Sequence, residues 1–99
     1  GFEIIMAFDE SPKVIGKKFG NLVVKSINEL EEELKIKPVD IGAISVPAEN
    51  AQEVCDRLIN NGVRAIQNYA PVSLKVPEGI QLATVDPVLK LQKMTYYLK

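Results

Sequence analysis

A chain of 99 residues, 46% of them hydrophobic, is long enough for one globular domain with its own core and too short for a second. Its 12 basic and 13 acidic side chains give a net charge of -1, whereas a DNA-binding domain normally shows a basic excess on one face, so we do not expect the chain to bind DNA by itself. The single cysteine excludes an internal disulfide, and no leader or long apolar run directs the chain to export or to a membrane, so we expect a cytoplasmic protein.

The chain opens on a hydrophobic strand, Phe2 to Phe8, that ends on Asp9. In a dinucleotide-binding fold, an acid after the second strand binds the adenosine ribose, and a glycine-rich turn after the first strand holds the pyrophosphate. The six glycines here never reach the G-x-G-x-x-G spacing, so only the acid is present. We therefore expect a fragment of a longer protein in which Asp9 binds ribose. An aspartate that only starts a turn is the alternative.

A short strand, Leu22 to Val24, leads into the first helix of the chain. Ser26 and Glu29 have the S-x-x-E spacing of a capping box, which satisfies the free N–H groups at a helix start. Pro38 closes this helix.

The middle of the chain alternates strand and helix patterns. Asp40 to Val46 is an almost continuous apolar run, as expected of a central strand buried on both faces. Pro47 opens a helix that Gly62 ends in a left-handed turn. This alternation predicts an α/β fold, a partial Rossmann-like parallel sheet with helices on both faces. Further strands are predicted at 63–66, 72–76 and 80–85.

From Pro87 onward the chain is predicted to be helical. A surface helix has one apolar stripe, but this helix has two, so we expect another chain or domain to cover the second. One stripe contains Leu91, Met94 and Leu98, and the opposite one contains Leu89 and Tyr96.

Two short segments follow neighbouring strands, Ser45-Val46-Pro47 and Asn68-Tyr69-Ala70-Pro71. Ligands of open α/β sheets bind at the carboxyl ends of the strands, so both segments are expected on the same rim as Asp9. A small hydroxyl, a proline-stiffened turn and an aromatic ring suit a slot for a flat ring. A pair of tight structural turns is the alternative.

Asp9 also predicts which dinucleotide fits. Its carboxylate would repel a ribose 2′-phosphate by roughly 4 kcal/mol at contact under an effective dielectric near 20, which favours NAD over NADP. Lys13 and Lys17 would soften that preference or attract the adenosine phosphates, and are otherwise ordinary surface lysines.

No catalytic residue and no metal site is predicted. The chain has no histidine, no cysteine pair and no G-x-S-x-G motif. Glu31 to Glu33 occupy successive helix positions and point in different directions, which indicates a solvated face. Cys55 lies on an apolar stripe, so it is interpreted as a core residue and not as a redox sensor.

Four blocks of sequence, spread over nearly the whole chain, carry a family likeness. They are Phe8-Asp9, Ser45-Val46-Pro47-Ala48 with Ala51-Gln52-Glu53, Asn61 to Val72, and Val85-Asp86 leading to Leu91-Gln92 and Tyr96-Tyr97-Leu98. Together they resemble the sensor domain of Rex, the redox-sensing transcriptional repressor.

The resemblance implies a homodimeric bacterial repressor that is not an enzyme. Its Rossmann domain binds NADH or NAD⁺, and a winged helix, absent from this chain, binds operator DNA. NADH closes the dimer and releases the operator. Residues 1–86 would be the partial NAD(H)-binding domain, and residues 87–99 the dimerisation helix that is exchanged between subunits.

Residue by residue, the resemblance implies that Asp9 holds the adenosine ribose and that Asp86 reaches the partner's nicotinamide region. This chain departs from the family in lacking the first strand and the glycine loop, and in having Pro87 where a larger apolar side chain is expected. The fragment alone is therefore expected to bind dinucleotide weakly or not at all. The implied cofactor-binding residues are Phe8, Asp9, Lys13, Ser45, Val46, Pro47, Asn68, Tyr69, Ala70, Pro71 and Asp86.

Two other interpretations stay open. The same order of strand, acid, turn and helix occurs in the nucleotide-binding half of sugar-nucleotide-modifying enzymes and of CoA ligase subunits, whose catalytic residues would lie outside this chain. The other is an α/β dimerisation module without a ligand.

Overall fold

The computed structural model describes residues 5–85, a mixed α/β structure. The predicted start of the first strand, the helix from Pro87 and the domain boundary after residue 86 lie outside the described residues. The chain divides into two compact units, Gly1–Lys37 and Pro38–Lys99, and each is described by itself.

The first unit contains a parallel strand pair, an antiparallel hairpin and a helix. The parallel pair is two residues long, with Phe8 beside Lys25 and Asp9 beside Ser26. Asp9 is the last residue of its strand, as predicted, but residues 5–7, which were predicted to belong to the same strand, do not. The elements are β1 (Phe8–Asp9), β2 (Lys18–Phe19), β3 (Leu22–Val23), β4 (Lys25–Ser26), a 3₁₀ turn (Ile27–Glu29) and α1 (Leu30–Ile36).

The strand predicted at Leu22 to Val24 is confirmed over Leu22–Val23. Leu22–Val23 pairs antiparallel with Lys18–Phe19 in a hairpin that the sequence analysis missed. Gly20 is the first residue of its two-residue loop and has a φ of 62°, the left-handed conformation that a type II′ turn requires there. The strand that pairs with β1 begins at Lys25 instead.

The capping box at the start of the helix is confirmed. Ser26 Oγ accepts from the backbone N–H of Asn28 at 3.2 Å, and Glu29 Oε2 accepts from the backbone N–H of Ser26 at 3.2 Å. The helical segment begins as a 3₁₀ turn and ends at Ile36, just before Pro38. Of the three glutamates predicted to lie mostly on a solvated face, Glu32 is exposed, whereas Glu33 is half-buried and forms an ion pair of 2.6 Å with Lys25.

The second unit contains three parallel strands and one described helix. The strand order is β5-β6-β7, so the predicted parallel sheet is confirmed in this unit. The elements are β5 (Ile41–Ile44), α2 (Ala48–Asn60), β6 (Ala65–Asn68) and β7 (Gln81–Thr84).

Burial of β5 on both faces is a wrong prediction. Ile44 is buried, whereas Ile41 and Ala43 are exposed. Side chains alternate between the two faces of a strand, and α2 covers the face of Gly42 and Ile44. A Cβ atom at Gly42 would stand only 2.9 Å from Leu58 Cδ1 of α2, which shows how closely helix and strand approach.

Helix α2 follows the predicted pattern. Pro47 is its N-cap residue, one position before the first turn, and Gly62 ends it with a φ of 97°. Its apolar stripe was predicted at Ala51, Val54, Cys55, Leu58 and Ile59; Ala51, Cys55 and Leu58 are buried, and Val54 and Ile59 are half-buried.

The strand predicted at 72–76 is wrong, because this segment has no strand partner. Its Lys75 backbone bonds to the side chain of Gln52 on α2. The following turn at 77–79 is confirmed by a bond from Ile80 N–H to the Pro77 carbonyl at 3.3 Å. Strand β7 falls within the predicted span 80–85.

Candidate functional site

The predicted site residues fall into three groups. Phe8, Asp9 and Lys13 belong to the first unit, and the seven residues of the segments 45–47 and 68–71 belong to the second. Asp86 lies outside the described residues.

Asp9 starts a turn, as the alternative interpretation expected. Its Oδ1 accepts from the backbone N–H of Ser11 at 2.8 Å. The Ser11 carbonyl in turn accepts from the N–H groups of Val14 and Ile15 at 3.0 and 3.1 Å. An ionised carboxylate offers about four lone-pair sites on two oxygens, so one turn bond leaves most of its acceptor capacity for a ligand. The turn fixes the carboxylate in place, and that suits a binding group.

Phe8 and Lys13 flank Asp9 on either side. Phe8 is half-buried in β1, whereas Lys13 is exposed. The backbone N–H of Lys13 donates to Ser11 Oγ at 3.3 Å, so its backbone belongs to the same turn.

In the second unit, the ends of the three strands lie level with one another. The register sets Ile44 beside Asn68, and Asn68 beside Thr84. The ladder continues one residue further, since Tyr69 N–H donates to the Ile44 carbonyl at 2.7 Å and Val85 N–H to the Asn68 carbonyl at 2.8 Å. The segments 45–47 and 69–71 therefore meet at one carboxyl edge, and the expectation that Asp9 shares their rim stays a prediction.

This carboxyl edge presents small and apolar groups to solvent. Ser45, Pro47 and Pro71 are exposed, and Tyr69 is 38% exposed. Ala70 is buried beneath them. None of the residues of segments 45–47 and 69–71 carries a charge. Such a surface suits a flat, uncharged ring better than a phosphate.

Asn68 has a different role from that of its exposed neighbours. It is fully buried, and its Oδ1 accepts from Ala70 N–H at 2.9 Å while its Nδ2 donates to the Val72 carbonyl at 2.8 Å. The amide thus holds the turn 69–72 together. Its direct contact with a cofactor stays a prediction.

Gln52 makes a contact near this edge that the sequence does not predict. Its Oε1 accepts from Lys75 N–H at 2.9 Å, and its Nε2 donates to the Lys75 carbonyl at 2.8 Å. The two residues are 23 positions apart, so no local spacing pointed to the contact. The only signal was the position of Gln52 inside one of the family-like blocks.

Cys55 is a core residue, as interpreted from the sequence. It is fully buried on α2. Burial raises the pKa of its thiol, and the neighbouring Asp56 carboxylate raises the pKa further. The thiolate that redox chemistry needs is therefore disfavoured.

Within residues 5–85, neither helix has the length and apolar character needed to cross a bilayer.

Residues 1–72 match the family model described as the CoA binding domain. The chain is also similar to curated proteins named redox-sensing transcriptional repressor Rex. The Rex protein of Chloroflexus aurantiacus is 43% identical over 99% of this chain and 46% of its own length. Those of Chloroflexus aggregans and Clostridium tetani are 46% and 43% identical with the same coverage. The chain thus spans about half the length of the curated relatives it matches.

Solved structures of a Rex-family repressor, RSP, have the same fold. RSP and its complex with beta-NADH both match with a TM-score of 0.88 and 34% identity, over 99% of this chain and 47% of theirs. RSP in complex with beta-NAD⁺ and operator DNA matches with a TM-score of 0.79, over 92% of this chain and 42% of that one. The resemblance expected from the sequence is confirmed.

Proposed function

Because the chain belongs to the CoA binding domain family and is similar to Rex repressors over 99% of its length, we propose that it is the NADH- and NAD⁺-sensing domain of a bacterial transcriptional repressor. The observation that carries this proposal is the match to RSP in complex with beta-NADH, with a TM-score of 0.88. In the proposed function, NADH changes the arrangement of a homodimer and releases operator DNA. The chain supplies binding and not catalysis, and a repressor of this kind acts in the cytoplasm.

Asp9 is the proposed ribose-binding residue. Its carboxylate is held by the Ser11 N–H at 2.8 Å and retains acceptor capacity for a sugar diol. A hydrogen bond to a charged group contributes roughly 1.5 to 3 kcal/mol. Phe8 and Lys13 are proposed to border the adenosine end of the cofactor.

The carboxyl edge of the second unit is the proposed border of the nicotinamide ring. That ring is cationic in NAD⁺ and neutral in NADH. Removing a cation from water is costly unless an opposite charge is present, and the segments 45–47 and 69–71 contain none. This edge should therefore favour the reduced form. To act as a switch, the cofactor must bind one dimer arrangement more tightly than the other, because equal affinity for both leaves their equilibrium unchanged.

The proposal is tested by an operator gel shift with the complete protein, titrated separately with NADH and NAD⁺. We expect NADH to dissociate the complex and NAD⁺ to leave it intact. Retention of the complex at saturating concentrations of both forms would exclude redox sensing.

A second candidate is the nucleotide-binding half of a CoA ligase subunit or a sugar-nucleotide-modifying enzyme, which the family match to CoA binding domains favours. CoA carries a phosphate on its adenosine ribose, and a carboxylate at contact would repel that group by roughly 4 kcal/mol. For this reason we favour NAD(H). Calorimetry with CoA and with NADH separates the two, because a CoA-binding protein would bind CoA and ignore NADH. A dimerisation module without a ligand would show no thermal shift with either.

A further inference from the structure

The segment 72–76 is held to the second unit by a side chain and not by a strand. Gln52 Oε1 accepts from Lys75 N–H at 2.9 Å, and Gln52 Nε2 donates to the Lys75 carbonyl at 2.8 Å. Two backbone groups of one residue are thus paired with one side-chain amide. The exchange of two hydrogen bonds resembles the one between paired strands.

Asp56 fixes the orientation of this amide. Gln52 Nε2 also donates to Asp56 Oδ1 at 2.9 Å, one helical turn further along α2. An amide nitrogen has two hydrogens, and the Lys75 carbonyl and the Asp56 carboxylate use both. Turning the amide over would set its oxygen against two acceptors, so only one orientation suits this site.

The opposite end of the same segment is held by Asn68. Its side chain bonds to Ala70 N–H and to the Val72 carbonyl. Between the two amides, Ala70 and Leu74 are 2% and 7% exposed. The turn that presents Tyr69 at the carboxyl edge is therefore fixed to β6 at one end and to α2 at the other.

Helix α2 also begins directly after segment 45–47, whose last residue, Pro47, is its N-cap. Gln52 lies in the second turn of this helix. Its bond to Lys75 therefore joins the element that starts at one edge segment to the chain that leaves the other. The connection adds to the backbone bonds of β5 and β6, which already join the two segments where they leave the sheet.

We propose that Gln52 is a positioning residue for the nicotinamide part of the dinucleotide: by holding Lys75 against α2, it fixes the chain that leaves segment 69–71, and with it the course of that segment beyond the strand ladder. This inference rests on the proposed function. The hydrogen bonds of Gln52 with Lys75 lie at the surface, where water replaces them at little cost, so their loss affects the position of the segment more than the stability of the fold.

The test compares Gln52→Met, which keeps the length of the side chain without its hydrogen bonds, with Gln81→Met, a control at an exposed glutamine that begins β7. Calorimetry on the complete protein measures binding of NADH and of ADP-ribose, which lacks nicotinamide. We expect Gln52→Met to weaken NADH binding about tenfold, or about 1.4 kcal/mol, and to change ADP-ribose binding less than about twofold. Gln81→Met should change neither.

A second variant and a second measurement guard against a trivial loss of folding. Asp56→Asn keeps the helix but removes the charge that orients the amide, and it should weaken NADH binding in the same direction by a smaller factor. Hydrogen exchange without ligand should become faster at Lys75 and at Ala70 in Gln52→Met, and should not change in Gln81→Met.

Unchanged exchange at Ala70, or equal losses of NADH and ADP-ribose affinity, would refute the positioning role. Wild-type protein that binds NADH, together with a Gln52→Met variant that binds it equally well, refutes this inference alone. Wild-type protein that does not bind NADH refutes the proposed function and the inference with it.

Discussion

Asp9 and Asn68 each end a parallel strand, and each has a side-chain oxygen that accepts from the backbone N–H two residues further along the chain. The two side chains differ in the hydrogen-bonding capacity that remains for a ligand. Asn68 uses both ends of its buried amide within its own turn, whereas one oxygen of the half-buried Asp9 is sufficient for its turn. Residue type and place in the sequence pointed to both as ligand contacts, but only the hydrogen bonds distinguish them.

Asp9→Asn tests the ribose assignment. The variant keeps an oxygen for the Ser11 N–H and removes the charge, so the turn should survive. Since the ribose is common to both cofactor forms, we expect affinities for NADH and NAD⁺ to fall alike, by about 1.5 to 3 kcal/mol. Calorimetry measures both, with Asp40→Asn as an exposed control. Unchanged affinity in Asp9→Asn would remove the ribose assignment.

Among the elements, those specified by neighbouring residues were predicted well. The capping box at Ser26 and the glycine stop of α2 at Gly62 depend on contacts within a few positions, and both are confirmed. The hairpin around Gly20 was missed although Gly-Asn is a known hairpin signal. The strand at 72–76 was predicted wrongly because its backbone partner is a side chain 23 positions away. Sequence periodicity describes neighbouring residues only and cannot predict such a contact.

The close approach of α2 to β5 gives a prediction at the same scale. Gly42→Ala would place a Cβ atom 2.9 Å from Leu58 Cδ1 and 3.5 Å from Val63 Cγ1. The contact with Val63 is an ordinary one, and Leu58 Cδ1 is the end of a side chain that can shift, so we expect a loss at the low end of the range for overpacking, about 1 kcal/mol of the free energy of unfolding. Denaturant unfolding measures that loss.

The double variant Gly42→Ala with Leu58→Ala is the matched control for this prediction. Shortening the Leu58 side chain makes room for the new methyl group. The losses of stability in the two single variants should therefore sum to more than the loss in the double variant. Strict additivity would show that helix and strand do not limit each other at this point.

For the whole molecule, charge and length limit what this chain does alone. Its net charge is -1, without the basic excess that a nucleic-acid-binding domain normally shows, and it spans 46% of its Rex relatives. In the proposed function, operator binding is assigned to a winged helix and not to the residues of this chain. The link between that part and the cofactor is proposed to pass through the carboxy-terminal segment, which includes Asp86.

Asp86→Ala tests this link in the complete protein. Allosteric coupling is typically about 1 to 3 kcal/mol, or about 5- to 150-fold in affinity. We expect the variant to bind NADH and operator DNA. The factor by which NADH lowers its affinity for the operator should be closer to one than in the wild type. Gel shifts with and without NADH measure the factor, with Asp40→Ala as the control. A wild-type response in Asp86→Ala would place the link elsewhere.

The backbone carbonyl of Asn68 connects this residue to the end of β7. It accepts from Val85 N–H at 2.8 Å, while the side chain of the same residue holds Ala70 and Val72. One residue thus joins the turn under Tyr69 to the peptide that precedes Asp86. In the proposed function, a ring bound against that turn would therefore bear on the backbone at Val85, the last residue that the structure describes, through one hydrogen bond of Asn68.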